Sequence, residues 1–251
     1  MPVAEAGPRT GASSDLPDPA VVRALGAACG LDLEAFRPAH VTRTIDRAVE
    51  RLGLRGPGAL APAVAADARL RARFRRAVAV STSGMWRDPQ QFDLLDRLIG
   101  ADHADRRPPR VWSVGASDGS ELCSLALLLE GLGRLDGAVL LGSDLLPENV
   151  ALARERCRER CRERLTPAQL STLRFEERDV VRSAPTGSWD VVLCRNVLIH
   201  LAPDAKRAML DHVTGAVAPG GLLLLGRSER LPRDERRGLA DAGQNAYRRC
   251  A

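Results

Sequence analysis

Gly115, Gly119 and Glu121 follow the apolar run 111–114, and a second acid, Asp144, stands 23 residues beyond Glu121 at the end of the apolar run 138–143. Glycines between a strand and a helix let the backbone pass close to a ligand where a Cβ would clash. An acid ending the next strand is placed to bind the hydroxyls of a ribose. Asp179 ends a third expected strand near 173–178, and Asn196 ends the apolar segment 189–196. When strands are parallel, ligands sit at their carboxyl ends. Gly115, Asp144, Asp179 and Asn196 are therefore expected to share one crevice, with the chemistry of a nucleoside site.

The elements that must position these residues alternate regularly. The run 111–114 precedes a leucine-rich helix at 119–132, and 138–143 precedes a helix at 147–164. A third strand is expected near 173–178 and a fourth over 189–196. A helix at 203–217 should stop at Pro219-Gly220-Gly221, followed by a buried strand at 222–225 and a last one within 244–250. Buried apolar runs alternating with helices predict an α/β fold whose parallel sheet is covered on both faces. Upstream, Asp18-Pro19 can cap a helix reaching about Cys29. An amphipathic helix at 38–52 should turn Val41, Ile45, Ala48 and Leu52 inward, and one or two helices should fill 59–80. The chain divides into a disordered tail (1–18), a small helical domain (19–80), a linker and helix (81–109), and the ligand-binding α/β domain (110–251). Arg43, Arg47, Arg51 and the arginines of 69–76 are either a solvated face or a docking face for an acidic partner. Trp86, in the linker, reads as a plug in the core.

Composition limits the alternatives. The chain has 251 residues, 45% of them hydrophobic, and a net charge of +5 carried almost wholly by arginine, Lys206 being the one lysine. Acids are interleaved with the arginines, so no basic stripe marks a nucleic-acid partner. No run approaches the ~20 apolar residues that span a membrane, and the first residues lack a signal core. Cys29, Cys123, Cys157, Cys161, Cys194 and Cys250 form no C-x-x-C pair and lack partners for zinc, so no metal is expected. Reduced thiols in a cytoplasmic protein fit that scatter.

Four segments together resemble one family. The linker 82–92 (Thr-Ser-Gly-Met-Trp-Arg-Asp-Pro-Gln-Gln-Phe) is similar to T-x-F-F-R-D-x-x-x-F, and 111–124 to I-W-S-x-G-C-S-T-G-E-E-P-Y-S. Residues 190–201 resemble D-x-I-x-C-R-N-V-L-I-Y-F, and 226–231 (Gly-Arg-Ser-Glu-Arg-Leu) resemble G-x-S-E-x-L. These are motifs of the CheR-type methyltransferases, which use S-adenosylmethionine to esterify glutamates of chemotaxis receptors. The resemblance covers roughly 19–250 and implies a class I methyltransferase, Rossmann-like sheet with S-adenosylhomocysteine as product.

Carried over position by position, the resemblance implies a cofactor set of Ser83, Arg87, Gly115, Ala116, Glu121, Asp144, Leu145, Asp179, Val180, Arg195 and Asn196. Glu121 would meet the α-amino group, Asp144 both ribose hydroxyls and Asp179 the adenine. Arg87 and His200 would be catalytic, with Arg87 orienting a carboxylate. His200 would act as a base whose titration lifts turnover between roughly pH 6 and 7.5. Several positions depart from the family. Its linker phenylalanines are Met85 and Trp86, its Thr-Gly-Glu is Asp118-Gly119-Ser120, and its two tyrosines are Cys123 and His200. Only 34 residues lie between Asp144 and Asp179, which leaves no room for the family's receptor-docking β-subdomain. The expected activity is methyl transfer to a carboxylate or other oxygen of a small molecule or protein outside the chemoreceptors, without docking to a receptor tail. The alternative is an enzyme that cyclises S-adenosylmethionine itself and releases methylthioadenosine.

Overall fold

The computed structural model describes residues 18–80, 84–100 and 107–250. Five strands run parallel: β1 (Arg110–Val114), β2 (Val139–Asp144), β3 (Leu173–Glu177), β4 (Trp189–Cys194) and β5 (Val217–Leu225). A hairpin of β6 (Leu239–Gly243) and β7 (Ala246–Arg249) completes the sheet, with β7 antiparallel to β5. The spatial order is β3-β2-β1-β4-β5-β7-β6. Parallel neighbours need crossover connections, and these are supplied by α6 (Ser120–Gly131), α7 (Pro147–Cys161) with the single turn α8 (Pro167–Leu170), and α9 (Pro203–Ala216). Strand order reverses at β1 and β4, the point where open α/β sheets hold their ligands. This is a Rossmann-like α/β sheet, the architecture that the resemblance implies.

Each face of the sheet has its own apolar layer. On one face α5 (Pro89–Gly100), α6 and α7 bury Leu95, Leu122, Leu125 and Leu129 against Leu140 and Leu193. On the other, Trp112, Val192 and Leu223 meet Val213 of α9 in a core that continues without a break into Leu25, Ile45, Leu60 and Phe74. Those four belong to the N-terminal helices α1 (Pro19–Cys29), α2 (Pro38–Leu52), α3 (Leu60–Ala66) and α4 (Ala68–Val78). Asp18 caps α1 by accepting from the Ala20 N–H at 2.8 Å, and Gly30 ends it with φ 67°. The two layers are stitched where the Arg37 N–H donates to the His200 carbonyl (2.9 Å) and the Ala202 N–H to the Ala35 carbonyl (2.9 Å).

The structure differs from the sequence reading at several places. β5 starts at Val217 rather than 222, because Trp189 pairs with Val217 and a register shift absorbs Pro219 and Gly220 before Val191 pairs with Leu222. β6 carries no β-branched residue, so no strand was expected there. Leu52 and Trp86 are not core residues, being 38% and 40% exposed. Leu52 is the last residue of α2, beyond the packed stripe, and Trp86 lies on the outside of α5 with its ring edge-on to Phe92. Cys123 and Cys157 are joined rather than reduced: their Cα atoms lie 5.8 Å apart, within disulfide range, because Gly119 lets α7 close onto the start of α6. The tail expected at 1–18 lies, apart from Asp18, outside the described residues. Among the described residues no helix is long and apolar enough to cross a membrane, and no group of three or more His, Cys, Asp or Glu could hold a metal ion.

Candidate cofactor site

A cavity of about 500 Å³ opens at the carboxyl ends of β1, β2, β3 and β4 and is roofed by Leu31, Phe36 and Val80 of the helical layer. That volume suits a nucleoside-sized ligand. Gly115, Asp144, Leu145, Asp179, Val180, Arg195, Asn196, Arg87 and His200 all line it. Ala116 does not; it is 3% exposed and sits behind the wall. Glu121 lies outside the lining, and Ser83 is outside the described residues. The turn glycines are required by the packing of the protein itself. A Cβ on Gly115 would fall 2.7 Å from Val197 Cγ2, and one on Gly119 would fall 2.7 Å from Cys157 Sγ, with both residues at positive φ.

Asp144 is preorganised by its neighbours. Its Oδ1 accepts from the Leu146 N–H (2.9 Å) and Asn149 Nδ2 (3.0 Å), and its Oδ2 from the Ser117 N–H (2.8 Å). A carboxylate offers about four acceptor positions, which leaves about one, on Oδ2, for a hydroxyl rather than the pair expected. Burial raises the Asp144 pKa against the pull of those three donors. Asp179 accepts from the Val181 N–H (3.0 Å) and pairs with the exposed Arg182 at 3.2 Å. Behind the turn, burial works against the ionised form of Asp118, yet hydrogen bonds from Arg160, Ser120 and Arg156 hold its pKa well below the usual range.

Glu121 and Arg195 form a buried pair at 2.9 Å, and Ser113 Oγ donates to the other Glu121 oxygen at 2.8 Å. Arg195 also reaches the linker, donating to Gln91 Oε1 (2.8 Å), the Arg87 carbonyl (2.6 Å) and Asp88 Oδ2 (3.2 Å). Trp86 and Asp88, on either side of Arg87, have φ of 55° and 57°. Left-handed backbone at residues with a Cβ costs on the order of 1–2 kcal/mol each, and it clusters where surrounding contacts impose it.

Sequence reasoning missed Gln91 and Glu229. Glu229 is 3% exposed and receives the N–H groups of Asn196 (2.7 Å), Gly226 (2.8 Å) and Ile199 (3.3 Å). It thereby shapes the turn in which Asn196 adopts φ 61°. Its only sequence signal was its place in the Gly226–Leu231 motif. His200 follows this turn, with its ring centroid 5.4 Å from that of His40, whose Nε2 lies 2.8 Å from the Val78 carbonyl. Burial, then His40, Arg37 and Arg87, push the His200 pKa down to about 4. Its imidazole is already neutral at pH 6, so the rise in turnover expected between pH 6 and 7.5 is not its titration.

A second concavity, between α2 and α4, is lined by Arg37, Arg43, Arg47, Arg51, Arg73 and Arg76, and no acid lines it among the described residues. It shares Val80, Ile199 and His200 with the cavity.

The family described as CheR methyltransferase, SAM binding domain, matches residues 156–245. The chemotaxis protein methyltransferase Cher2 of Pseudomonas putida is 28% identical over 240 residues, covering 82% of this chain and 87% of that protein. Chemotaxis protein methyltransferase 1 of Pseudomonas aeruginosa is 29% identical over 237 residues, 81% and 86% of the two chains. Among solved structures, the S-adenosylmethionine complex of magnesium protoporphyrin IX methyltransferase from Synechocystis PCC 6803 aligns with a TM-score of 0.46 at 21% identity, over 64% of this chain and 78% of that one. The chain is an S-adenosylmethionine-dependent methyltransferase similar to those of the CheR type.

Proposed function

We propose that this methyltransferase esterifies a carboxylate of an acidic protein segment outside the chemoreceptors, and that the segment enters along the arginine-lined groove between α2 and α4. The observation that carries this reading is the groove itself: six arginines with no lining acid among the described residues, sharing the wall residues Val80, Ile199 and His200 with the cavity. The residues between Asp144 and Asp179 form α7, α8 and β3, which leaves no added subdomain there to dock a receptor tail. A cytoplasmic location fits the reading.

Bound S-adenosylmethionine supplies a methyl group on a sulfonium, already a strong electrophile. The residues that remain have to bind, align and dry the reactants. Asp144 would hold a ribose hydroxyl, Asp179 the adenine amine, and Glu121 the α-amino group. Arg87 would orient the acceptor carboxylate. A carboxylate is ionised at neutral pH and needs no base to attack. Neutral His200, with Ile199 and Val80, would therefore act by excluding water. Attack of carboxylate on sulfonium consumes both charges, so a site poor in water favours the transition state over the separated ions.

The test uses methyl-labelled cofactor with a glutamate-rich peptide as acceptor. Alkali-labile label, released as methanol, should appear, and it should fall at least tenfold in Arg43→Glu/Arg47→Glu and in Arg87→Ala with S-adenosylhomocysteine affinity held within threefold. Methylthioadenosine formed from cofactor alone would instead establish cyclisation. Saturable binding of a chemoreceptor tail peptide would overturn the choice of acceptor.

A further inference from the structure

We propose that Arg195 is a positioning residue: it ties the strained backbone around Arg87 to Glu121, so that the cofactor's amino end and the acceptor carboxylate are held in one register. This rests on the roles given above to Glu121 and Arg87. The resemblance made Arg195 a cofactor ligand, and it does contribute to the cavity wall. Its side chain, however, is only 2% exposed, and its guanidinium is occupied inside the protein. Nε donates to Gln91, Nη1 to Glu121, and Nη2 to both the Arg87 carbonyl and Asp88. At least four of its five N–H donors are engaged, and the guanidinium carbon lies 5.3 Å from the Phe92 ring centre.

The segment it grips cannot hold its own shape. Left-handed φ at Trp86 and Asp88 persists only if neighbours impose it. From one side the Trp86 N–H donates to Ser124 Oγ at 2.9 Å; from the other, Arg195 takes the Arg87 carbonyl and the Asp88 carboxylate. Gln91 is fixed in turn by donating from Nε2 to the Leu225 carbonyl at 2.7 Å. Charge points the same way. Glu121 and Asp88 carry two negative charges against the one positive charge of Arg195, so an anionic excess remains for an α-ammonium. Arg227, 3.9 Å from Asp88 and 59% exposed, is screened by solvent. Occupancy at Glu121 is thereby coupled to order at Arg87, and the coupling needs the planar fork, which lysine lacks.

Hydrogen–deuterium exchange of residues 84–92, with and without saturating S-adenosylhomocysteine, reads this coupling without any acceptor. In the parent protein the ligand should slow exchange there at least tenfold. In Arg195→Lys that ligand-dependent slowing should vanish while affinity falls less than tenfold. Full retention of the slowing in Arg195→Lys would overturn the proposal. So would abolished binding in that variant with its fold intact, since Arg195 would then be a direct ligand. Should the Arg195 variant not fold, Asp88→Asn at the edge of the cluster serves instead: exchange of 84–92 should quicken severalfold, and unchanged exchange would refute the tie. A failure of Arg87→Ala to alter methyl transfer would remove the acceptor reading and leave this result standing.

Discussion

Asp144 has about one acceptor position left for a ligand, because three protein donors already occupy the rest. One charge-assisted hydrogen bond is worth roughly 1.5–3 kcal/mol, so Asp144→Ala should weaken S-adenosylhomocysteine binding about 10- to 100-fold by calorimetry. An unchanged affinity in the folded variant would remove Asp144 from the ribose site. His200 yields a prediction with a definite sign. Its pKa is about 4 in the native state, below the ~6.5 of an unfolded chain. Above pH 6.5 both states leave it neutral and stability is unaffected. Between pH 6.5 and 4 the unfolded chain takes up a proton that the native protein refuses, so stability falls as the solution is acidified. Denaturation midpoints over that window should show a shallower pH slope in His200→Phe than in the parent. At this scale the strand-end residues were legible from the sequence, since Gly115, Asp144 and Asn196 each close an apolar run and Asp179 follows in the regular alternation of strands and helices. The chain from Ser113 through Glu121 and Arg195 to Gln91 was not, because it joins residues as much as 104 positions apart that share no periodicity.

The turn after β4 depends on a single carboxylate. Glu229→Ala would strand the N–H groups of Asn196, Gly226 and Ile199 in a buried setting, at about 1–3 kcal/mol for each uncompensated group. The denaturant midpoint should drop by an amount equivalent to at least ~2 kcal/mol, and turnover should fall with it as Asn196 and His200 lose their placement. Glu229→Gln keeps one acceptor oxygen and should fall between the two. Helices were read closely from the sequence because α1, α2, α7 and α9 all begin with proline at the first turn, and α1 and α2 end at glycines in left-handed backbone. β6 and the start of β5 were not legible. One lacks the residues that mark strands, and the other is held by pairing with β4 across a glycine-rich irregularity.

The helical layer and the sheet share one core and enclose the cavity between them. Ligand binding should therefore stabilise the molecule as a unit. S-adenosylhomocysteine at a hundred times its Kd adds ~2.7 kcal/mol, which for a chain of this length raises Tm by about 5–10 °C. A single shifted transition is the expected thermogram, and two transitions of which only one moves would contradict the shared core. Sequence reading supplied both layers but not their joint, because Phe36, Leu31 and Val80 carry no sign of facing a nucleoside site.

The arginine groove bears on how fast an acceptor arrives. Charges exposed along an entrance act through solvent, over a screening length of about 8 Å at physiological ionic strength and roughly 3 Å at 1 M. Added salt should therefore slow diffusional encounter with an anionic acceptor while leaving the transfer step inside the cavity untouched. kcat/KM should fall steadily as salt rises, kcat should hold, and neutralising Arg43, Arg47 and Arg51 together should flatten the salt dependence without changing kcat.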